Sequence, residues 1–177
     1  MIDILFPSRN KIERELLVRL YIAHYNSSKN NSNGSKTVFT LSSQGSGSLL
    51  QGISAGLLST GMLHAPVEAA RNFIFYRDIK IQEGMIVPGF GHSVFKDKID
   101  PSFDDVDKLL EKEYSDKWSK VTERQNELSL LKGRNIYRNA AAFTACVAEC
   151  LELPVGMELL LFAIPRMTEW VNSVVSE

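Results

Sequence analysis

The sequence predicts an all-α protein, and three observations predict it. Apolar residues recur at helical spacing, as at Ile12, Leu16, Leu17, Leu20 and Ala23 and again at Val106, Leu109, Leu110, Trp118 and Val121. Helix-start signals precede several such stretches: Glu13 and Glu15 in a first turn, and Pro66 at another. Only Lys36–Leu41 has some strand character.

In chain order, residues 11–25 form an amphipathic helix. It runs into Asn26-Ser27-Ser28-Lys29-Asn30-Asn31-Ser32-Asn33-Gly34-Ser35, whose polar side chains compete with the backbone for hydrogen bonds and predict a loop. From Gly47 to Leu63 small residues (Gly52, Ser54, Ala55, Gly56) alternate with leucines, which lowers helix propensity but lets backbones approach, so a buried, tightly packed helix is expected. Pro66 opens a helix that ends near Asp78, and Pro88-Gly89-Phe90-Gly91 breaks the next segment. Ser102 or Asp104 caps a long helix continuing to Leu131, whose Lys and Glu residues read as a solvated face. Residues 139–152 and 155–176 complete the set, with a bend expected at Pro165.

The 177 residues suffice for one compact domain, and 44% hydrophobic with 23% charged residues excludes a disordered or fibrous chain. Twenty Lys+Arg against 21 Asp+Glu give a net charge of -1, so nothing in the bulk charge points to nucleic acid or an acidic membrane. Met1–Pro7 lacks the basic region and apolar length of a signal peptide, and a cytoplasmic protein is expected. Cys146 and Cys150 share one helix face and read as small buried apolar side chains, with no metal site around them. Glu149, Glu152, Pro154 and Glu158 interrupt the most apolar stretch, 140–165, well short of the roughly 20 residues of a membrane span.

The chain has three histidines, and two lie in motifs: Gly61-Met62-Leu63-His64 and Val87-Pro88-Gly89-Phe90-Gly91-His92-Ser93-Val94. Taken singly, each is more often a satisfied structural histidine, and the Gly-Phe-Gly turn a loop that needs positive φ. Their order is more specific, because Leu161-Phe162-Ala163-Ile164-Pro165-Arg166 follows, with Trp170 four residues on.

Together these motifs, over about residues 12–176, resemble those of the citrate synthase superfamily, which includes citrate synthase, methylcitrate synthase, citryl-CoA lyase and the lyase module of ATP-citrate lyase. The resemblance implies an all-α fold with a large and a small helical domain and a site in the cleft between them. Residues 1–65 would then be partial large-domain helices, 66–150 the small domain with a CoA-type loop, and 151–177 a returning large-domain helix. The chain begins and ends inside the family pattern. A truncated member is therefore expected, as a homodimer or a heteromer with a chain that supplies missing large-domain elements. Making or breaking the bond between an acyl-CoA α-carbon and an α-keto acid needs a base, a donor to the thioester oxygen and a donor to the ketone. By resemblance, His64 and His92 supply the donors, Arg166 holds a substrate carboxylate, and Pro88, Gly89, Phe90, Gly91 and Lys96 receive CoA, which is a substrate rather than a tightly bound cofactor.

The chain departs from the family pattern at several points. The Asn-Val-Asp motif that carries the base falls on Asn139-Ala140-Ala141 or, in another register, on Asn135-Ile136-Tyr137; neither holds a carboxylate. Asp-Pro-Arg has become Asp100-Pro101-Ser102, and His-Gly-Gly has become His64-Ala65-Pro66. The substrate-binding histidine expected within 24–30 has no clear counterpart, with His24 nearest to it. Two functional readings follow: an acyl-CoA condensing or cleaving enzyme, impaired or partner-dependent, and a non-catalytic CoA-binding or accessory subunit of the same fold. An unrelated helical protein ranks behind both.

Overall fold

The computed structural model describes residues 6–30, 34–59, 66–76, 81–82 and 84–175. Among them no strand occurs, and the helices are α1 (Lys11–Asn30), α2 (Gly34–Ser46), α3 (Leu49–Leu58), α4 (Val67–Arg71), α5 (Asp104–Glu113), α6 (Ser115–Leu131), α7 (Ala140–Cys150) and α8 (Met157–Val175). The all-α expectation is met, and no helix among the described residues is long and apolar enough to cross a membrane.

Helix α1 starts where Asn10 and Glu13 cap each other: the Glu13 amide donates to Asn10 Oδ1 at 3.0 Å and the Asn10 amide to Glu13 Oε2 at 2.9 Å. Its buried stripe is Leu16, Leu17, Leu20 and Ala23, as the spacing predicts. The helix does not stop at residue 25 but continues through Asn26–Asn30, which corrects the expected loop. Ser27 and Ser28 are buried there with their hydroxyls bonded to carboxylates elsewhere in the fold, so they no longer compete for the local backbone.

Lys36–Leu41 is helical too, as part of α2, which corrects the strand reading. Phe39 is fully buried against Trp170, with ring centroids 5.8 Å apart, and this tertiary contact overrides the weak strand signal. Helices α2 and α3 form a hairpin through Gly47, at φ 65°. A Cβ at Gly52 would stand 2.7 Å from Ser43 Cβ, and one at Gly56 would stand 2.8 Å from the Trp170 ring. These two glycines therefore set how closely the hairpin closes on itself and on α8. The predicted helix 47–63 is observed as Leu49–Leu58, with its far end outside the described residues; only Gly52 and Gly56 are buried, which corrects the expectation of a buried helix, because the small residues pack one face while Leu50 and Leu58 face outward.

Helix α4 starts after Pro66 and passes into a π-helical turn over Asn72–Tyr76. The single helix expected up to Leu131 is two, because Tyr114 leaves the helical region at φ -137°, ψ 39°. That break re-aims the chain so that Val106, Leu109 and Leu110 on α5 and Trp118, Val121 and Leu128 on α6 all reach the core. Helix α7 is buried over nine of its 11 residues, and α8 runs on through Pro165. One continuous apolar core extends from Phe6 through α1, α4, α5, α6 and α7 to Phe162.

Inside this core lies an ion cluster. Arg71 on α4 donates from Nε to Glu149 at 3.0 Å and from Nη1 to Glu158 at 2.7 Å and to the Leu153 carbonyl at 2.8 Å. Glu158 is fully buried, and its other oxygen accepts from the Gly156 amide at 2.7 Å. The cluster ties α4 to α7 and α8, and removing one partner would strand a buried charge. Arg71→Met should therefore cost about 3–5 kcal/mol in urea unfolding at neutral pH, and Arg71→Met with Glu158→Leu should recover much of it. A loss below about 1 kcal/mol in the single variant would contradict a supporting role for the cluster.

Candidate functional site

The glycine loop is fixed to the start of α7 by backbone pairing. Gly89 and Gly91 take φ values of 90° and 80°, which side chains with a Cβ rarely adopt. A Cβ on Gly89 would also come within 3.2 Å of Ala70 Cβ and 3.3 Å of Ala142 Cβ, so the loop rests directly on α4 and α7. The Gly91 amide donates to the Tyr137 carbonyl at 2.7 Å and the Asn139 amide to the Gly89 carbonyl at 2.9 Å, with an antiparallel bridge between Phe90 and Arg138. Asn139 has two tasks: Oδ1 accepts from the Ala141 amide at 2.9 Å to cap α7, and Nδ2 donates to the Gly91 carbonyl at 2.7 Å. One side chain that must both accept and donate explains an Asn at this position. The same geometry brings Ala141, the first-turn residue on which the family's aspartate falls in one register, next to the glycine loop.

His92 follows this loop and is half-buried. Its Nδ1 accepts from the amides of Val94 and Phe95 at 3.0 and 3.1 Å. In the neutral ring the proton is therefore on Nε2, which becomes a donor. Burial lowers the His92 pKa; Asp100 opposes this and Arg166 adds to it. At neutral pH the side chain presents an uncharged N–H.

Arg166 lies on α8, its guanidinium carbon 4.1 Å from the centroid of the Phe162 ring. Nε is buried without a hydrogen-bond partner, and the side chain forms no ion pair among the described residues. Desolvation lowers its pKa to about 10, against the opposing influence of Asp100 and Glu169. It stays charged at neutral pH. A half-buried guanidinium whose Nε is without a partner has a donor left for an anion.

Around it stands a polar network rooted in α1. Ser27 donates to Asp100 Oδ2 at 2.7 Å, and the other Asp100 oxygen accepts from the Ser102 amide at 3.0 Å. Ser28 donates to Glu169 Oε2 at 2.9 Å and accepts from Trp170 Nε1 at 3.1 Å, while Lys36 pairs with Glu169 Oε1 at 2.8 Å. His24 is fully buried, edge-on to Phe103 and Phe162 at 5.1 and 4.9 Å. Its Nε2 lies 2.7 Å from Thr144 Oγ1, and the Thr144 hydroxyl donates to the Ala140 carbonyl at 2.8 Å. The Thr144 proton is thus committed, His24 Nε2 must donate, and His24 Nδ1 is left as a buried acceptor without a partner.

Of the residues singled out from sequence, His92 and Arg166 come close enough for Arg166 to depress the His92 pKa. Pro88, Gly89, Phe90 and Gly91 form the loop leading to His92, and Lys96 is exposed beyond it. His64 lies outside the described residues. Ser27, Ser28, Lys36, Thr144 and Glu169 belong to the candidate site without any motif revealing them, whereas Asp100 is the aspartate of the Asp-Pro motif. The signal for the serines exists, because 27 and 28 continue the three- and four-residue steps from Leu20, Ala23 and His24. Cys146 and Cys150 are free and buried, and no cluster of His, Cys, Asp or Glu among the described residues could hold a metal ion.

A family model described as citrate synthase, C-terminal domain, matches residues 50–177. Among solved structures, the citryl-CoA lyase of Hydrogenobacter thermophilus is similar to this chain with a TM-score of 0.75 and 19% identity, over 94% of this chain and 70% of the lyase chain. At that identity the likeness is one of fold. No curated protein sequence matches.

Burial, with Arg166 adding to it, holds the His24 pKa well below its ordinary value. As pH falls through about 6.5 the unfolded chain takes up the proton first, so the stability due to a neutral His24 is present above that pH and lost below it. The loss is at most about 1.4 kcal/mol per pH unit for one histidine, and His92 contributes in the same direction. Chemical unfolding between pH 7.5 and 5 should show this slope, and His24→Asn should flatten it. An unchanged slope in the variant would contradict the buried neutral imidazole.

Proposed function

This chain belongs to the citrate synthase family, and on that premise we propose that it binds an acyl-CoA and a small carboxylate at the His92–Arg166 site and forms or cleaves the bond between the acyl α-carbon and an α-keto acid. The observation that carries the reading is the proximity of a neutral His92, with Nε2–H available, to the half-buried Arg166, whose Nε has no partner. A neutral donor can stabilise an enolate oxygen without itself losing a proton, and a planar guanidinium suits a carboxylate. His64 is assigned the second donor role by its motif. The Pro88–Gly91 loop would receive CoA with Lys96 near its phosphates, and CoA enters as a substrate rather than a resident cofactor. We assign residues 1–65 and 151–177 to large-domain structure and 66–150 to the small domain, in a cytoplasmic protein.

Removal of the α-proton needs a base, and Ala141 offers none. Catalysis by this chain is therefore impaired, or a partner supplies the group. Exposed leucines on the helical hairpin support an assembly: Leu41, Leu50 and Leu58 are 65%, 72% and 87% exposed, apolar surface that a partner would cover. The occupant we propose is a second copy or a different chain that supplies further large-domain helices. Sedimentation equilibrium at micromolar concentration distinguishes these from a well-behaved monomer, which would refute the assembly. The alternative reading, a non-catalytic CoA-binding or accessory subunit, draws its support from Ala141.

Calorimetry should detect weak CoA or short acyl-CoA binding, reduced several-fold in Lys96→Glu because one phosphate-facing cation is reversed. Folded protein that binds no CoA at millimolar concentration would remove the CoA half of the reading. Exchange of acyl-CoA α-protons with deuterated solvent should be near background for this chain and rise in Ala141→Asp, since a general base contributes typically about 10²–10⁴-fold. Efficient exchange by the unmodified chain would show that the base lies elsewhere.

A further inference from the structure

The segment from His92 to Ile99 runs between two fixed points and is itself held by very little. Upstream, the Gly91 amide donates to the Tyr137 carbonyl at 2.7 Å, and the Gly91 carbonyl accepts from Asn139 Nδ2 at 2.7 Å. Downstream, Asp100 accepts from the Ser27 hydroxyl at 2.7 Å and from the Ser102 amide at 3.0 Å. Between these anchors, every hydrogen bond among the described residues ends on a single atom. His92 Nδ1 accepts from the Val94 amide at 3.0 Å and from the Phe95 amide at 3.1 Å. Ser93, Lys96, Asp97 and Lys98 are exposed and Val94 is 58% exposed, so apolar burial adds little to hold the segment. Phe95 is half-buried and lies against the imidazole, with ring centroids 5.1 Å apart.

A contact of this kind depends on one lone pair. With the proton on Nε2, the Nδ1 lone pair faces the two amides. A second proton enters at Nδ1 and turns the acceptor into a donor, so both N–H groups lose their partner at once. The charges around the ring act in opposite senses: Asp100, ahead of α5, favours the imidazolium, and Arg166 on α8 opposes it. Lys98 stands 5.9 Å from the centroid of the Phe95 ring, while Lys96 and Asp97 face solvent on the segment itself. Arg138, bridged to Phe90 ahead of the segment, is paired with Asp107, and the start of α7 brings the uncharged Asn139. Burial is the largest influence and lowers the His92 pKa. Closure is therefore complete above about pH 6.5, the ordinary histidine value, and is lost as pH falls below it.

We propose that His92 is a pH-operated clasp: its neutral imidazole holds residues 93–99 closed, and its protonation releases them as a local opening while the anchors at Gly91 and Asp100 stay in place. One proton then changes a neutral donor into a cation and loosens the stretch that bears Lys96 in a single event. The device follows from the two amide contacts and needs no assignment of a reaction, so it stands or falls apart from the acyl-CoA reading.

The test is amide hydrogen exchange on the full chain, read by NMR residue by residue between about pH 7.5 and 5 and corrected for the intrinsic pH dependence of exchange. Val94 and Phe95 should lose at least about tenfold of their protection across this range, the scale of two hydrogen bonds. The loss should share its midpoint with the nitrogen shifts of the His92 ring, while the Gly91 and Asn139 amides keep their protection. In His92→Asn the side chain still offers an oxygen to amides a few residues on but does not titrate, so protection should persist to the acid limit. His92→Ala should leave both amides open throughout. The unmodified protein decides the matter even if a variant fails to fold. Equal protection of Val94 and Phe95 at both ends of the range overturns the proposal, as does a loss that Gly91 and Asn139 share in a general unfolding. A pH response that survives in His92→Asn and vanishes in His24→Asn belongs to the other imidazole and overturns it too.

Discussion

A helix enclosed on every side can carry only side chains that let its neighbours come close, and the rest of this structure depends on α7 meeting that constraint. Its sequence, Ala-Ala-Ala-Phe-Thr-Ala-Cys-Val-Ala-Glu-Cys, is almost entirely small residues. Helices α1, α4, α5, α6 and α8 all pack against it. Where a large residue appears, Phe143, it stacks on Phe103 at 4.9 Å and meets Trp118 at 5.3 Å. The two polar ends are also used: Asn139 caps the helix and anchors the glycine loop, and Glu149 joins the Arg71 cluster. One buried helix therefore fixes both the loop that carries His92 and the ion cluster that holds α4 and α8 in place.

Much of this was legible in the sequence because it rests on local rules. The buried stripe of α1, the opening of α4 at Pro66, the small-residue packing of α3 and the run of α8 through Arg166 all follow from spacing and residue size. Motif order likewise pointed to the family before any coordinate did. What was not legible depends on partners distant in the chain. Asn26–Asn30 reads as a loop because its polar side chains have no local use except the backbone. In the fold Ser27 finds Asp100, 73 positions away, and Ser28 finds Glu169, 141 positions away. Phe39 and the turn at Tyr114 follow the same logic, since neither the pull of Trp170 nor the need to re-aim α6 is visible in a window of neighbouring residues.

The misread segment is also the one that builds the candidate site. A sequence rule that treats serines as loop formers is sound where water or backbone is the only available partner. It fails where the fold needs hydroxyls to hold buried carboxylates, because each hydrogen bond then offsets part of the cost of taking a charge out of water. Local inconsistency of this kind marks a place where another demand outweighs propensity. Here that demand coincides with the electrostatic surroundings of Arg166.

Arg166 carries, at Nε, one of the buried polar atoms that the described fold leaves without a partner. Its guanidinium has lost much of its water, yet no carboxylate within the described fold pairs with it. The Phe162 face and the more distant charges of Asp100 and Glu169 offset some of that desolvation, which is why the group remains a cation despite its lowered pKa. A directly paired arginine, such as Arg71, has its Nε and Nη1 committed to carboxylates of the fold. Holding the balancing carboxylates on Ser27 and Ser28, rather than on Arg166 itself, keeps the cation tolerable in the fold and its Nε unpaired.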